Sequence, residues 1–268
     1  MNAPQARPPR VPPETDLVLV LPGTAVGLEV GCASRAVAGK MNEDRVAVAR
    51  PPEDELVSHG LAIAVADGID ADGAGARAAA IAVSAVLRDY YATPREWSAR
   101  QALDRVLQAC NQWLNAHNSR HREQDGALAT LSMLLFRGTS YTCAHVGDTR
   151  VYRRRGVGFK QLTTDHLWPR EDVRHLPKRA IGLDRHLVVE YTEGEAAAGD
   201  VFLLVTDGVW EVLGDAALRD ALDHNEATAQ QVAEDLVAQA LDRQARYMGR
   251  NDATATVVRL ARADTGLS

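Results

Sequence analysis

Two strand-length apolar stretches, Thr130 to Phe136 and Tyr141 to Val146, follow one another with only a short turn around Gly138 between them. No helix fits into that gap. A parallel crossover needs on the order of a dozen residues, so the short gap favours antiparallel pairing of these two strands. This constraint disfavours a purely parallel, doubly wound sheet. Three more segments have the same character. Leu61 to Ala66 stops at Asp67-Gly68, Val201 to Val205 stops at Thr206-Asp207-Gly208, and Thr254 to Leu260 closes the chain. Each is short, apolar or β-branched, and bounded by turn chemistry.

Three longer segments carry apolar residues at helical spacing. They are Ala79, Val83, Val86, Leu87 and Tyr90; Leu103, Val106, Leu107, Cys110, Leu114 and His117; and Val232, Leu236, Val237, Ala240 and Leu241. Thr93-Pro94-Arg95-Glu96 reads as a capping box with Pro at the first helical position, and Ser98 with Gln101 repeats the pattern. Thr228 with Gln231 starts the third helix in the same way. The expectation is one mixed α and β domain over residues 16–262. The Pro-rich residues 1–15 lack large apolar side chains and read as a disordered tail, and 263–268 as a second short tail.

Composition narrows the function. The chain of 268 residues holds 30 Lys+Arg against 36 Asp+Glu, a net charge of −6, which argues against a nucleic-acid binder. No apolar run approaches the roughly 20 residues that span a bilayer, and the first residues lack the apolar core of a signal peptide. Cys32, Cys110 and Cys143 have no CxxC spacing, which excludes a disulfide scaffold and a cysteine-based zinc site. A soluble cytoplasmic protein is expected.

The placement of the aspartates carries the chemistry. Asp67 and Asp207 each end an apolar strand and precede a glycine, and Asp148 follows Gly147 at the end of another. Asp44 stands in Asn42-Glu43-Asp44 just before Val46-Ala47-Val48, and Asp252 lies two residues before the last strand. Carboxylates at the rim of a sheet are expensive to desolvate, and converging ones repel. A divalent cation resolves both problems, and carboxylate, carbonyl and water ligands suit Mg²⁺ or Mn²⁺. Any single Asp-Gly after a strand is more often a plain turn; the repetition shifts the balance towards metal.

The order of these motifs resembles the metal-dependent serine/threonine protein phosphatases of type 2C, the PPM family. Asn42-Glu43-Asp44 is similar to the first acidic motif and Val65-Ala66-Asp67-Gly68 to the second. Ala144-His145-Val146-Gly147-Asp148-Thr149-Arg150-Val151-Tyr152, Gln161-Leu162-Thr163-Thr164-Asp165-His166, Ala180-Ile181-Gly182, and Gly199-Asp200 through Thr206-Asp207-Gly208 follow in family order. The stretches Leu87 to Thr93, Trp97-Ser98 and Asn111 to Leu114 resemble the phosphatase half of bacterial bifunctional kinase/phosphatase proteins; no kinase signature occurs in this sequence.

The resemblance implies a four-layer α-β-β-α sandwich with two central antiparallel sheets. It implies two Mn²⁺ or Mg²⁺ ions, with Asp67 bridging them, the Gly68 carbonyl on one and Asp207 on the other. Glu43 and Asp44 would act through metal-bound waters, and Asp148 with Asp207 matches a third, weaker site. A metal-bridging hydroxide would attack phosphoserine or phosphothreonine directly, on phosphoprotein substrates of a bacterial Ser/Thr kinase.

Three departures stand out. Lys40 occupies the region where the family carries a phosphate-binding Arg, and offers a point charge without a bidentate grip. Ile69-Asp70-Ala71-Asp72 replaces a glycine-rich turn. Asn251-Asp252 reverses the family's last Asp-Asn pair; Asn251 aligns with the ligand, and a register shift would bring in Asp252 instead. The alternative reading is a weak or inactive phosphatase fold that binds a kinase or phosphoprotein. A third is a hydrolase of small phosphoesters.

Other conspicuous residues have plainer expectations. His145 and His166 read as structural, Arg150 as paired with a carboxylate, Arg153 to Arg155 as a solvated hairpin end, and Trp97 and Trp113 as core or helix packing. Asp70 and Asp72 read as solvated loop charges, and His166 to Arg179 as a flap beside the cleft.

Overall fold

The computed structural model describes residues 17–69, 73–120, 126–168, 177–223, 226–247 and 251–263. The expected N-terminal tail, positions 264–268 of the expected C-terminal one, Asp70, Asp72 and positions 169–176 of the expected flap lie outside the described residues. In chain order the elements are β1 (Leu17–Val20), β2 (Val26–Arg35), β3 (Arg45–Val48), α1 (Glu53–His59), β4 (Leu61–Ala66), β5 (Gly68–Ile69), α2 (Ala74–Tyr91) and α3 (Ala99–Arg120). There follow β6 (Leu128–Ala129), β7 (Leu131–Arg137), β8 (Ser140–Val146), β9 (Arg150–Arg155), β10 (Gly158–Gln161), β11 (Glu190–Glu195), β12 (Val201–Val205), α4 (Asp207–Ala221), α5 (Ala229–Tyr247) and β13 (Ala253–Arg262).

The strands form a six-stranded sheet, β1-β2-β13-β12-β9-β10, and a five-stranded sheet, β11-β8-β7-β4-β3. Every pairing is antiparallel, including β7 with β8 in the register Leu131↔Val146, as the short turn between them favoured. A short pair, β5-β6, stands beside the second sheet.

Side-chain alternation explains the layering. On β4, Leu61, Ile63 and Val65 join Leu134 and Phe136 of β7 and Phe202 and Leu204 of β12 in a core between the sheets. The intervening Ala62, Ala64 and Ala66 face the other way, against Ala78, Ala79 and Ala82 of α2 and, beyond them, Leu103 and Leu107 of α3. Small residues on both sides let α2 lie close to the strand. Val201, Leu203 and Val205 turn from the inner face of β12 to a third core with Val232, Leu236 and Val237 of α5. The order of layers is therefore α2/α3, sheet, sheet, α4/α5. Among the described residues, no helix is long and apolar enough to cross a membrane.

Three expectations need correction. Thr93-Pro94-Arg95-Glu96 does not start α3, which begins at Ala99. The Thr93 hydroxyl instead donates back to the Tyr90 carbonyl at 2.7 Å and terminates α2; the true start signal is Ser98, whose Oγ accepts the Gln101 N–H at 3.2 Å. Trp113 is not core: it is 55% exposed, because Leu103, Leu107, Cys110 and Leu114 take the buried face of α3 and Trp113 lies off that stripe. His117 is likewise exposed and stacks on Trp113 with ring centroids 5.5 Å apart. The Thr228 capping box forms as expected, with Thr228 N–H to Gln231 Oε1 at 2.8 Å and Gln231 N–H to Thr228 Oγ1 at 3.1 Å.

Candidate metal centre

The acidic residues meet where the two sheets join. Asp44 precedes β3, Asp67 follows β4, Asp148 connects β8 to β9, and Asp207 opens α4 directly after β12. Strand ends from both layers thus deliver carboxylates to one rim.

Asp44 is 1% exposed. Its Oδ2 accepts the hydroxyls of Thr206 at 2.8 Å and Thr254 at 2.6 Å. Thr206 is the N-cap of α4, but its hydroxyl caps no helix N–H and is given to Asp44 instead. Ser34 bonds Thr254 at 2.7 Å and receives the Asn42 amide at 2.9 Å, which closes a chain of hydroxyls around the first motif. The other oxygen of Asp44, Oδ1, is buried with no hydrogen-bond partner.

Asp67 is bracketed by Thr130. The Thr130 N–H donates to the Asp67 carbonyl at 2.9 Å, and Thr130 Oγ1 accepts the Asp67 N–H at 3.2 Å. Gly68 follows, its N–H on the Glu43 carbonyl at 3.2 Å. A Cβ here would lie 2.2 Å from the Gly75 carbonyl oxygen in the first turn of α2 and 2.9 Å from that of Glu43, so the second motif admits only glycine at this point.

Asp148 is fixed by a separate scaffold. Trp210 on α4 donates its indole N–H to the Asp148 carbonyl at 3.0 Å. The Arg150 guanidinium stacks on Trp210, 3.4 Å from the ring centroid, and grips both carboxylate oxygens of Asp165. His166 N–H reaches the Gly147 carbonyl at 2.7 Å, and its Nδ1 accepts the Gly147 N–H at 3.1 Å. His145 lies between the Ser132 hydroxyl, 2.9 Å from Nδ1, and the Thr164 carbonyl, 3.2 Å from Nε2. Burial, then the neighbouring His166, pushes its pKa down to about 3, so it stays neutral. Both histidines are structural here, and Arg150 is paired, as read from the sequence. Arg154 and Arg155 pair with Asp223 and the buried Asp200, and the hairpin end from Arg155 to Gly158 is exposed, as expected.

The electrostatics record the crowding. Burial, followed by the charges of Asp207, Asp44 and Asp148, holds the Asp67 carboxyl well above the usual carboxylate range. Burial, then Asp148, Asp44 and Glu211, does the same to Asp207. Asp44 is pushed up to about 7, chiefly by burial and against the two threonine hydroxyls, and Asp148 to about 6 by burial and Asp165. Among the described residues, no three His, Cys, Asp or Glu side chains close on a single point. The carboxylates are near enough to raise one another's pKa but form no closed set of three ligands among the described residues, so backbone carbonyls and water would have to complete the shell of an ion. The all-oxygen donor set, the mutual repulsion and the orphaned Asp44 Oδ1 fit a hard divalent cation.

The last motif divides its labour. Asp252 accepts the Val37 N–H through Oδ1 at 2.9 Å and the Glu43 N–H through Oδ2 at 2.6 Å. Asn251 points the other way, its Nδ2 donating to Asp207 Oδ2 at 2.8 Å. Lys40 is exposed in a turn closed by its N–H on the Val37 carbonyl at 3.1 Å. The three cysteines are buried and free. Burial pushes their thiols up to about 11 for Cys32 and about 12 for Cys110 and Cys143, far from a nucleophilic thiolate. Sequence reading missed Thr206, Thr254, Ser34, Thr130 and Trp210. The one signal was a hydroxyl residue set immediately before or just after an acidic motif.

Two helix-covered antiparallel sheets with an acidic rim at their junction define the phosphatase 2C class of fold. The protein phosphatase 2C family profile matches residues 32–255, and the chain belongs to that family. It is 29% identical to the serine/threonine protein phosphatase PstP of Mycobacterium tuberculosis over 195 residues, 67% of this chain and 37% of PstP. The chain thus spans little more than a third of the curated relatives it matches. Among solved structures, PppA, a key regulatory component of T6SS in Pseudomonas aeruginosa, superposes with a TM-score of 0.72 at 28% identity, over 87% of this chain and 97% of PppA. The catalytic domain of PstP in complex with two manganese ions superposes with a TM-score of 0.72 at 26% identity, over 88% of this chain and 99% of that one.

Proposed function

We propose that this chain is a Mn²⁺- or Mg²⁺-dependent protein serine/threonine phosphatase that removes phosphate from substrates of a bacterial Ser/Thr kinase. The observation that carries the reading is the ring of Asp44, Asp67, Asp148 and Asp207 with one buried carboxylate oxygen left without a partner. Family membership and the two manganese ions in the PstP catalytic domain support it.

Asp67, Asp207 and the Gly68 carbonyl would hold two ions, Glu43 and Asp44 would orient their waters, and Asp148 with Asp207 would form a weaker third position. Bound divalent cations would supply a lowered pKa for water and would neutralise phosphoryl charge, chemistry that suits direct hydrolysis without a phosphoenzyme. The chain's own work is preorganisation. Thr206 and Thr254 fix the rotamer of Asp44, Thr130 fixes the backbone of Asp67, and Trp210 fixes that of Asp148. Lys40 stands on the turn leading into Asn42-Glu43-Asp44, where a cation can meet an incoming phosphate.

The test is release of phosphate from p-nitrophenyl phosphate and from a phosphothreonine peptide. Turnover should require Mn²⁺ or Mg²⁺, stop with chelator, and vanish in Asp67→Asn and Asp207→Asn. Full turnover in chelator, or in both variants, would overturn the reading. The rival, a phosphoprotein-binding module without turnover, is favoured by the neutral Asn251 against Asp207. Retention of the phosphopeptide with no phosphate released would decide for it.

A further inference from the structure

We propose that the two ion positions of this site are unequal, and that Asn251 makes the one beside Asp207 the weaker, so that the second ion is gained and lost as free divalent metal rises and falls. The inference rests on the metal-phosphatase reading and adds a metal-responsive step to it.

The two sides of the rim differ in what they offer a cation. On one side the carboxyls of Asp67 and Asp44 lie close enough to share a proton, and Asp44 Oδ1 is buried with no other donor to satisfy it. Two negative groups and an orphaned oxygen create a demand that only a proton or a cation meets. On the other side, Asp207 Oδ2 already accepts a hydrogen bond from Asn251 Nδ2 at 2.8 Å. The partner is a carboxylate, so the donor end of the amide must face it. An ion arriving at that oxygen has to displace a hydrogen bond, and the displaced side chain returns a neutral oxygen in place of a charge. Asp148 and Glu211 draw cations towards Asp207 through their field, but the group in contact with it is an amide.

Asn251 is not free to withdraw. Its backbone N–H donates to Gln244 Oε1 at 2.8 Å, and Gln244 Nε2 donates to the Gly208 carbonyl at 2.9 Å, which ties it between α5 and the first turn of α4. Asp252 cannot replace it either. Each of its oxygens takes a backbone N–H of the segment between β2 and β3, and turning it towards Asp207 would release both. The reversal of the two residues thus spends the carboxylate on holding a loop and leaves the amide at the metal rim. Ligand charge is the main lever on the affinity of an oxygen site for a hard cation.

The experiment is calorimetric titration of the metal-free full chain with MnCl₂ at neutral pH, repeated on Asn251→Asp, with metal-induced melting shifts as a second readout. Apart from the weaker third position of Asp148 with Asp207, the wild type should show one tight site and a second weaker by about ten-fold or more, and the variant should tighten that second site by a similar factor. Two wild-type sites of equal affinity would overturn the inference and leave the phosphatase reading standing; so would a folded Asn251→Asp that leaves the weaker site unchanged. The wild-type titration decides the asymmetry even where the variant fails to fold. No binding at millimolar Mn²⁺ would overturn the metal-phosphatase reading, and this inference with it.

Discussion

Asp252, just before β13, accepts the backbone N–H of Glu43 through Oδ2 at 2.6 Å, across 209 positions of sequence. The same carboxylate takes the Val37 N–H, so one side chain of the last motif holds both ends of the loop that presents the first. Asp252→Ala should lower stability by about 1.5–3 kcal/mol, the usual loss for hydrogen bonds to a charged group. Asp252→Asn, with one acceptor oxygen left, should fall between. Urea denaturation of the metal-free proteins measures this; an unchanged midpoint in Asp252→Ala would remove the clamp from the account.

The carboxylate ring sets the pH response. Asp44 and Asp148 have ordinary values near 3.8 and are raised in the fold to about 7 and about 6, and Asp67 and Asp207 are also raised. Between the unfolded and folded values the native state binds more protons than the unfolded chain, so stability falls as pH rises. The metal-free protein should therefore lose melting temperature from about pH 4 to about pH 7 through these groups. Mn²⁺ should raise the melting temperature more at the alkaline end, where no proton competes for the carboxylates. Asp67→Asn should melt higher than wild type in chelator at neutral pH. A metal-free melting temperature that climbs steadily with pH across this window would contradict the assignment.

Trp210→Phe keeps a ring beneath Arg150 but removes the indole N–H from the Asp148 carbonyl. A loss of about 1 kcal/mol is expected, together with a weaker response to added Mn²⁺ at whichever position Asp148 serves. Melting curves with and without metal separate the two effects.

Close approach of α2 to β4 depends on alanine on both surfaces. Ala64→Leu should destabilise by about 1–3 kcal/mol through overpacking, whereas Ile63→Val, on the other face of the same strand, should cost about 0.5–1.5 kcal/mol. Equal tolerance of leucine at position 64 would mean that the helix is free to move away.

Strands that bury both faces were legible because their composition needs no partner to interpret. Leu61–Ala66 and Val201–Val205 occur at the residues read from the sequence. β2 was not legible. Val26-Gly27-Leu28-Glu29-Val30-Gly31 looks like broken loop sequence, yet it pairs with β13 from Val26↔Arg262 to Arg35↔Ala253. Gly31 is there because α5 crosses it: a Cβ would lie 2.1 Å from the Gln230 nitrogen, a constraint that only the packed structure reveals. The acidic rim was readable as a set, since each carboxylate borders a strand. Its hydroxyl supports were not, because Thr206 and Thr254 meet Asp44 from 162 and 210 residues away. The capping box at Thr93 misled for a local reason, the competing carbonyl of Tyr90.

Asp44 belongs to one sheet by its position before β3, while the hydroxyls that hold it, Thr206 and Thr254, belong to the end of β12 and to β13 in the other. The sandwich is riveted at its reactive edge. Any shear that slides one layer over the other reaches Asp44 first, so damage to the distant apolar interior should dull turnover while circular dichroism still reports an intact protein.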